Sequence, residues 1–114
     1  MPLEDELLET ERRFWTGGPE VYEAHAAPEC LVVFTELAGV MTNADIAKTV
    51  EKGRWKDVEI APKGLLQPSH DTAIVAYECR ARRKDGVPYH AVVSSGYVKR
   101  PDGWKLAFHQ QTPM

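Results

Sequence analysis

The sequence predicts an α+β fold in which a strongly curved antiparallel sheet wraps around N-terminal helices. The first half of the chain contains apolar residues at helical spacing, interrupted by prolines and glycines that end helices. The last third contains three long runs in which apolar and polar side chains alternate. Asp-Gly turns at residues 85–86 and 102–103 join those runs, and such a turn is a strong β-hairpin signal. Helices followed by a meander favour a sheet that curls over them and encloses a pocket.

The bulk properties predict one domain spanning residues 1–114. A hydrophobic content of 43% and a charged content of 27% are ordinary for a globular protein. The net charge of -3 gives no electrostatic basis for nucleic-acid binding, and no apolar run approaches the length of a membrane span. The acidic N-terminus lacks the apolar region of a signal peptide. Cys30 and Cys79 are expected to be reduced core thiols, which favours a cytoplasmic protein.

Two helical segments are predicted at the start of the chain. The first has one face made of Leu3, Leu7, Leu8, Glu11, Phe14 and Trp15. Gly17-Gly18 ends this helix. The second runs from Pro19 to Ala26, and Pro28 closes it because the residue before a proline avoids helical dihedral angles.

A third helix is predicted from Ala44 to Lys52, with Thr42 as its cap and Gly53 as its stop. The earlier strands are expected at Cys30 to Thr35 and Arg54 to Ile60, with a bend at Pro62 and Gly64 and an irregular edge from Leu65 to Ser69. The long strands are expected at Val75 to Arg82, Tyr89 to Lys99 and Trp104 to Thr112.

Alternation separates the side chains of the long strands into two faces. One face carries Tyr77, Cys79, Val93, Ser95, Tyr97, Ala107, His109 and Gln111, and the other carries Val92, Val98, Trp104, Leu106 and Phe108. Both faces of the last two strands are partly apolar, whereas a sheet with one solvated face shows a clean split. We therefore expect a homodimer formed through the sheet. The pattern alone leaves open which face packs on the helices.

The order of these elements and their motifs resemble the nuclear transport factor 2-like superfamily. The motifs are Pro19-Glu20-Val21-Tyr22, Ile74-Val75-Ala76-Tyr77, and Asp102-Gly103-Trp104 with the strand that follows. The resemblance extends from Leu7 to Pro113 and includes the SnoaL-like bacterial branch and the association domain of calcium/calmodulin-dependent protein kinase. It implies a cone-shaped sheet but no single function, because the superfamily includes isomerases, dehydratases, cyclases, transport adaptors and oligomerisation modules.

The resemblance also implies which sheet face lines the cavity. In the kinase association domain, a tyrosine of the second helix and arginines of the last three strands line the pocket. The tyrosine matches Tyr22, but the arginines match Cys79, Tyr97 and Gln111 in this sequence. The cavity is therefore expected to lack their positive charge and to suit a mainly apolar ligand. Its expected polar lining is Tyr22, His25, Tyr77, Ser95, Tyr97, His109 and Gln111.

The titratable residues give a weaker indication of chemistry. The histidines are His25, His70, His90 and His109, and their spacing does not suggest a metal site. We expect neither a metal nor a cofactor. His109 is the best candidate for a catalytic base, because it combines a near-neutral intrinsic pKa with an inward position on a rigid strand. The inward positions of the late strands carry no acid, so Glu36 and Glu59 are the candidate cavity carboxylates.

Several functions stay open at this point. The first is a small-molecule-binding protein that holds a mainly apolar ligand as a homodimer. The second is an isomerase, dehydratase or cyclase in which His109 or His25 removes a proton and Tyr22 or Tyr97 stabilises the developing oxyanion. The third is an oligomerisation module.

Overall fold

The computed structural model describes residues 2–114, which form three helices and six strands. The helices are α1 (Leu3–Thr16), α2 (Pro19–His25) and α3 (Asn43–Thr49). The strands are β1 (Ala26–Val33), β2 (Ala38–Thr42), β3 (Trp55–Ser69), β4 (Thr72–Arg83), β5 (Pro88–Arg100) and β6 (Gly103–Pro113). Together the strands form one sheet, with α1 lying against β3 and β4. The predicted α+β fold, with helices covered by a sheet, is confirmed.

The sheet is mixed rather than antiparallel throughout. Its strand order is β2-β1-β6-β5-β4-β3. β1 runs parallel to β6, and the other neighbouring strands pair antiparallel. The sequence pattern reveals where strands lie but not the direction in which distant strands pair, so this parallel pair was not predicted. Among residues 2–114, no helix is long and apolar enough to cross a membrane.

The prediction that Pro28 closes the second helix is wrong. α2 ends at His25, and Pro28 lies inside β1. A proline is tolerated there because its missing N–H costs no ladder hydrogen bond. The pairing of β1 with β6 is interrupted between Ala26 and Leu31, and the pairing with β2 begins only at Glu29.

β2 was not predicted, and α3 is shorter than expected. β2 has only five residues and none of them is buried, since its side chains alternate between exposed and half-buried positions. α3 ends at Thr49 instead of Lys52, because the chain turns before Gly53, which adopts a φ of 83°. The predicted start of α3 is confirmed, since the Thr42 hydroxyl accepts a hydrogen bond from the Asp45 N–H over 3.1 Å.

A β-bulge at Ala107 divides β6 into two halves of opposite phase. Leu106 pairs with Tyr97 and Phe108 pairs with Gly96, so Ala107 has no partner on β5. Leu106 is therefore buried in the core, contrary to the predicted parity, and Trp104 packs against the same core. Regular alternation without a bulge predicts that Ala107 points inward and that Trp104 and Leu106 point outward.

The inner face of the sheet packs on α1. The buried residues of this helix are Leu7, Glu11, Phe14 and Trp15. Leu7 and Phe14 belong to one apolar cluster, and Trp15 belongs to a second one that contains Tyr77 and Cys79. Each large apolar side chain buried in this way contributes about 1.5–3 kcal/mol to stability. Glu11 is the exception on this face, because a charged residue occupies a fully buried position.

Candidate functional site

A cavity of about 350 Å³ lies between the helices and the sheet. Its wall includes residues from α1, α2, α3, β1, β2, β3 and β6. The apolar part of the wall is formed by Phe14, Val32, Phe34, Met41, Ile46, Val50 and Leu106. The polar side chains of the wall include Tyr22, Glu36, Arg54, Arg83, Tyr89, His109 and Gln111. The cavity therefore combines a surface that is mainly apolar with several polar groups.

Glu11 lies behind the cavity wall and accepts three hydrogen bonds. Its side chain is 0% exposed. Tyr77 and Ser95 each donate a hydrogen bond to Oε1 over 2.7 Å, and Tyr97 donates one to Oε2. All three contacts are made by hydroxyl groups that donate to the carboxyl oxygens. Donors directed at a carboxyl group in this way stabilise negative charge on it.

A directed chain of hydrogen bonds connects Glu11 with the cavity. The single Ser95 hydroxyl proton goes to Glu11, so Ser95 Oγ accepts from His109 Nδ1 over 2.8 Å. His109 then carries its proton on Nδ1, and its Nε2 accepts from Gln111 Nε2 over 3.0 Å. Gln111 Oε1 in turn accepts from the Tyr89 hydroxyl over 2.8 Å. The network therefore selects one tautomer and one orientation of the His109 ring.

The electrostatic environment keeps the members of this network neutral, apart from Glu11. Burial lowers the pKa of His109; the Glu11 carboxylate opposes this shift and the Arg54 guanidinium adds to it. Burial, followed by the charge of Glu11, raises the pKa values of Tyr77 and Tyr97 well above the ordinary range. Both tyrosines therefore remain hydrogen-bond donors, and His109 is a neutral imidazole at pH 7.

The structure separates the predicted site residues into three groups. Tyr22, His109 and Gln111 line the cavity. Tyr77, Ser95 and Tyr97 lie behind it and hold Glu11. His25 is not part of the cavity wall. It lies at the C-terminal end of α2, where burial and the charges of Arg13 and Lys105 lower its pKa.

The two predicted cavity acids are not the buried carboxylate of this site. Glu36 lines the cavity but is exposed, and Glu59 is exposed on β3. The buried acid is Glu11, whose signal was a charged residue among the apolar positions of the first helix. No group of His, Cys, Asp and Glu residues within 2–114 is arranged to hold a metal ion.

The cavity was expected to lack positive charge, but two arginines line it. Arg54, which precedes β3, and Arg83, at the end of β4, both line the cavity. Arg83 is exposed and stacks over the rings of Trp55 and Tyr89, at 5.0 and 5.2 Å. Arg54 lies next to Tyr22: burial raises the pKa of this tyrosine, and the guanidinium opposes the rise. No repeat or motif in the sequence pointed to Arg54.

Comparison with solved structures shows that the chain has the nuclear transport factor 2-like fold. An NTF2-like protein of unknown function from Prochlorococcus sp. NATL2A superimposes with a TM-score of 0.80 at 16% identity, over 99% of this chain and 94% of the other. A candidate ketosteroid isomerase from Parabacteroides distasonis gives a TM-score of 0.77 at 10% identity, over 99% and 89%. The association domain of CaMKII from C. elegans gives 0.70 at 12% identity, over 95% and 90%. No protein-family model and no curated protein matches the sequence.

Proposed function

We propose that this protein binds a small, mainly apolar organic molecule in the cavity. The observation that carries the proposal is the form of the cavity, which has about 350 Å³ of space and an apolar wall. Pockets of this size with a few directed polar groups are typical of small-molecule sites. The apolar wall supplies most of the affinity, while His109 and Gln111 orient a polar group of the ligand.

A neutral fluorescent probe, N-phenylnaphthylamine, tests this proposal directly. The wild-type protein should enhance its fluorescence in a saturable manner. Val50→Trp should abolish the enhancement, because Val50 lines the cavity and an indole would fill the space. Val87→Trp is the matched control, since Val87 is 50% exposed in the β4–β5 turn and lies outside the cavity wall. Saturable binding that survives Val50→Trp would place the probe elsewhere and overturn the proposal.

A second candidate function is a cofactor-independent isomerase, dehydratase or cyclase. It is favoured by the chain from Glu11 through Ser95 to His109, which holds a proton on Nδ1 and leaves the Nε2 lone pair toward Gln111 at the cavity wall. If Gln111 turns toward a substrate carbonyl, Nε2 can accept a proton from the adjacent carbon. The buried carboxylate then stabilises the imidazolium through Ser95.

Proton exchange separates this second function from simple binding. Enolisable aryl ketones that displace the probe should exchange their α-hydrogens for solvent deuterium in the presence of the protein, as followed by NMR. His109→Gln preserves polarity and much of the side-chain volume but lacks a base, so it should bind the ketone without exchange. Equal exchange in the wild type and in this variant would eliminate His109 as the base.

We further propose a homodimer formed through the outer face of the sheet. Strand registers align Val40, Leu31, Phe108, Gly96, Ile74 and Leu66 across all six strands. Val40 and Leu66 are 65% and 64% exposed, so this row is a continuous apolar band. The Phe108 side chain covers Gly96, because a Cβ at position 96 would lie only 3.3 Å from Phe108 Cβ. Apolar bands of this kind mark association surfaces.

Light scattering tests the dimer. The wild type should give about twice the chain mass of 12.8 kDa at micromolar concentration. Ile74→Asp, which places a charge within the band, should give a monomer. Val87→Asp introduces the same charge in the β4–β5 turn, away from the band, and should leave the dimer intact. A monomeric wild type would contradict the proposal.

A further inference from the structure

Arg54 carries a buried hydrogen-bond donor without an acceptor. Its Nη1 atom is shielded from solvent and has no hydrogen-bond partner among residues 2–114. No carboxylate of those residues forms an ion pair with Arg54 either. Buried charged groups in proteins are normally paired, because desolvation without a partner is costly. A cation left in this state at a cavity wall is arranged for an anion from outside the chain.

The nearby carboxylates do not fill this role. Glu11 is already occupied by the donors Tyr77, Ser95 and Tyr97. Glu36 belongs to the cavity wall but is exposed and forms no ion pair with Arg54. Arg83 also lines the cavity, but it differs from Arg54 because it is exposed to solvent, which can hydrogen-bond its N–H groups, and it stacks on aromatic rings. Arg54 is thus the cation of the cavity whose Nη1 atom lacks an acceptor within residues 2–114, while another part of its guanidinium lies beside the Tyr22 hydroxyl.

The position of Arg54 defines the rest of the ligand. Arg54 lies directly after Gly53 and directly before β3, next to the hydroxyl of Tyr22. Its charge also acts on His109, which forms another part of the same wall. The remaining wall, with Phe14, Ile46 and Leu106, is apolar. A ligand that satisfies all of these contacts has one anionic end and an apolar body.

We propose that the cavity binds an amphipathic organic acid whose carboxylate pairs with the Arg54 guanidinium. The proposal rests on the proposed small-molecule function and narrows its ligand class. The planar guanidinium fork matches the geometry of a carboxylate, and its Nη1 atom is shielded from solvent. The apolar body of the acid packs against Phe14 and Ile46 of the helices and against Leu106 of β6.

A matched ligand pair tests the proposal: naphthylacetate and the isosteric neutral naphthylacetamide, each measured by displacement of N-phenylnaphthylamine. Wild-type protein should bind the acid about ten- to a hundredfold more tightly than the amide, as expected for a hydrogen bond to a charged group. Arg54→Gln should remove this preference, because it weakens binding of the acid far more than binding of the amide. Arg82→Gln is the control, because it removes one positive charge from an exposed residue outside the cavity.

The outcomes separate this inference from the function it rests on. If the neutral probe binds but the wild type does not prefer the acid, the cavity is a binding site and the role of Arg54 is wrong. If the preference survives Arg54→Gln, another group binds the anion and the inference is also wrong. If the probe does not bind at all, the proposed function itself fails. The wild-type comparison decides the inference even if Arg54→Gln does not fold.

Discussion

The network around Glu11 and the cavity beside it use buried polar groups in opposite ways. Around Glu11, three hydroxyl donors converge on one carboxylate. In the cavity wall, Arg54 has a buried donor without an acceptor among residues 2–114. His109 joins the two regions, since its Nδ1 belongs to the network and its Nε2 to the cavity side. Paired groups stabilise the fold, whereas an unpaired group is available to a ligand.

The strongest test of this comparison is removal of the carboxylate. Glu11→Ala should lower the free energy of unfolding by about 3–5 kcal/mol, because it leaves several buried hydroxyls without an acceptor and opens a cavity. Urea unfolding measures the loss. Glu9→Ala is the matched control on the same helix: Glu9 is exposed and, within residues 2–114, forms an ion pair with Arg13 alone, so the change should be within about 0.5 kcal/mol. Equal effects of both substitutions would contradict a structural role for the network.

A smaller effect separates donors on the two sides. Tyr97→Phe removes a fully buried donor to the carboxylate and should cost about 1.5–3 kcal/mol. Tyr89→Phe removes a donor to Gln111 that is only partly buried, and water can replace it, so the expected cost is about 0.5 kcal/mol. Both values come from urea unfolding. If Tyr89→Phe were the more costly substitution, the cavity side would be as closed as the region around Glu11.

The smallest effect should come from pH, because Glu11 offsets part of the cost of burying His109. Burial lowers the pKa of His109 below the ordinary value of 6.5. The unfolded chain therefore binds this proton at a higher pH than the folded chain does. Stability should be complete above pH 6.5 and decrease as the pH falls below it. Unfolding measured between pH 4 and pH 8 tests this sign.

Two variants assign the pH effect to its source. His109→Gln should flatten the decrease below pH 6.5. His25→Gln measures the second contribution of the same sign: burial also lowers the pKa of His25, but this residue is less buried than His109, so its removal should flatten the decrease less. A wild-type curve parallel to that of His109→Gln would mean that His109 titrates alike in the folded and unfolded chains.

Strand periodicity predicted part of the site correctly, because alternation is a local property. It placed Tyr77, Ser95 and Tyr97 on one face, and all of them are fully or almost fully buried there. It could not show that Glu11 meets them, since these contacts join residues 66 to 86 positions apart. The helical spacing did contain Glu11 at a buried position. A carboxylate among the apolar positions of a helix is therefore the sequence signal that points to this network.

Other features depend on backbone geometry that periodicity does not report. The orientation of Arg54 follows from the turn after α3, in which Gly53 has a φ of 83°. The inward position of Leu106 follows from the bulge at Ala107. Neither residue is marked by an unusual local composition, because a bulge needs only one extra residue in a strand. At these two residues the structure differs most from the prediction made from the sequence.

The bulge at Ala107 gives β6 one residue more than β5 has partners for. On one side of it Leu106 faces the core, and on the other side His109 and Gln111 face the cavity. Leu106 pairs with Tyr97 and His109 pairs with Ser95, so deletion of Ala107 would make the strand regular and keep both side chains on the inner face. Related chains that keep this site can therefore be one residue shorter in this segment. An alignment gap here would mark a relative with a regular β6 in which the imidazole still lies opposite Ser95.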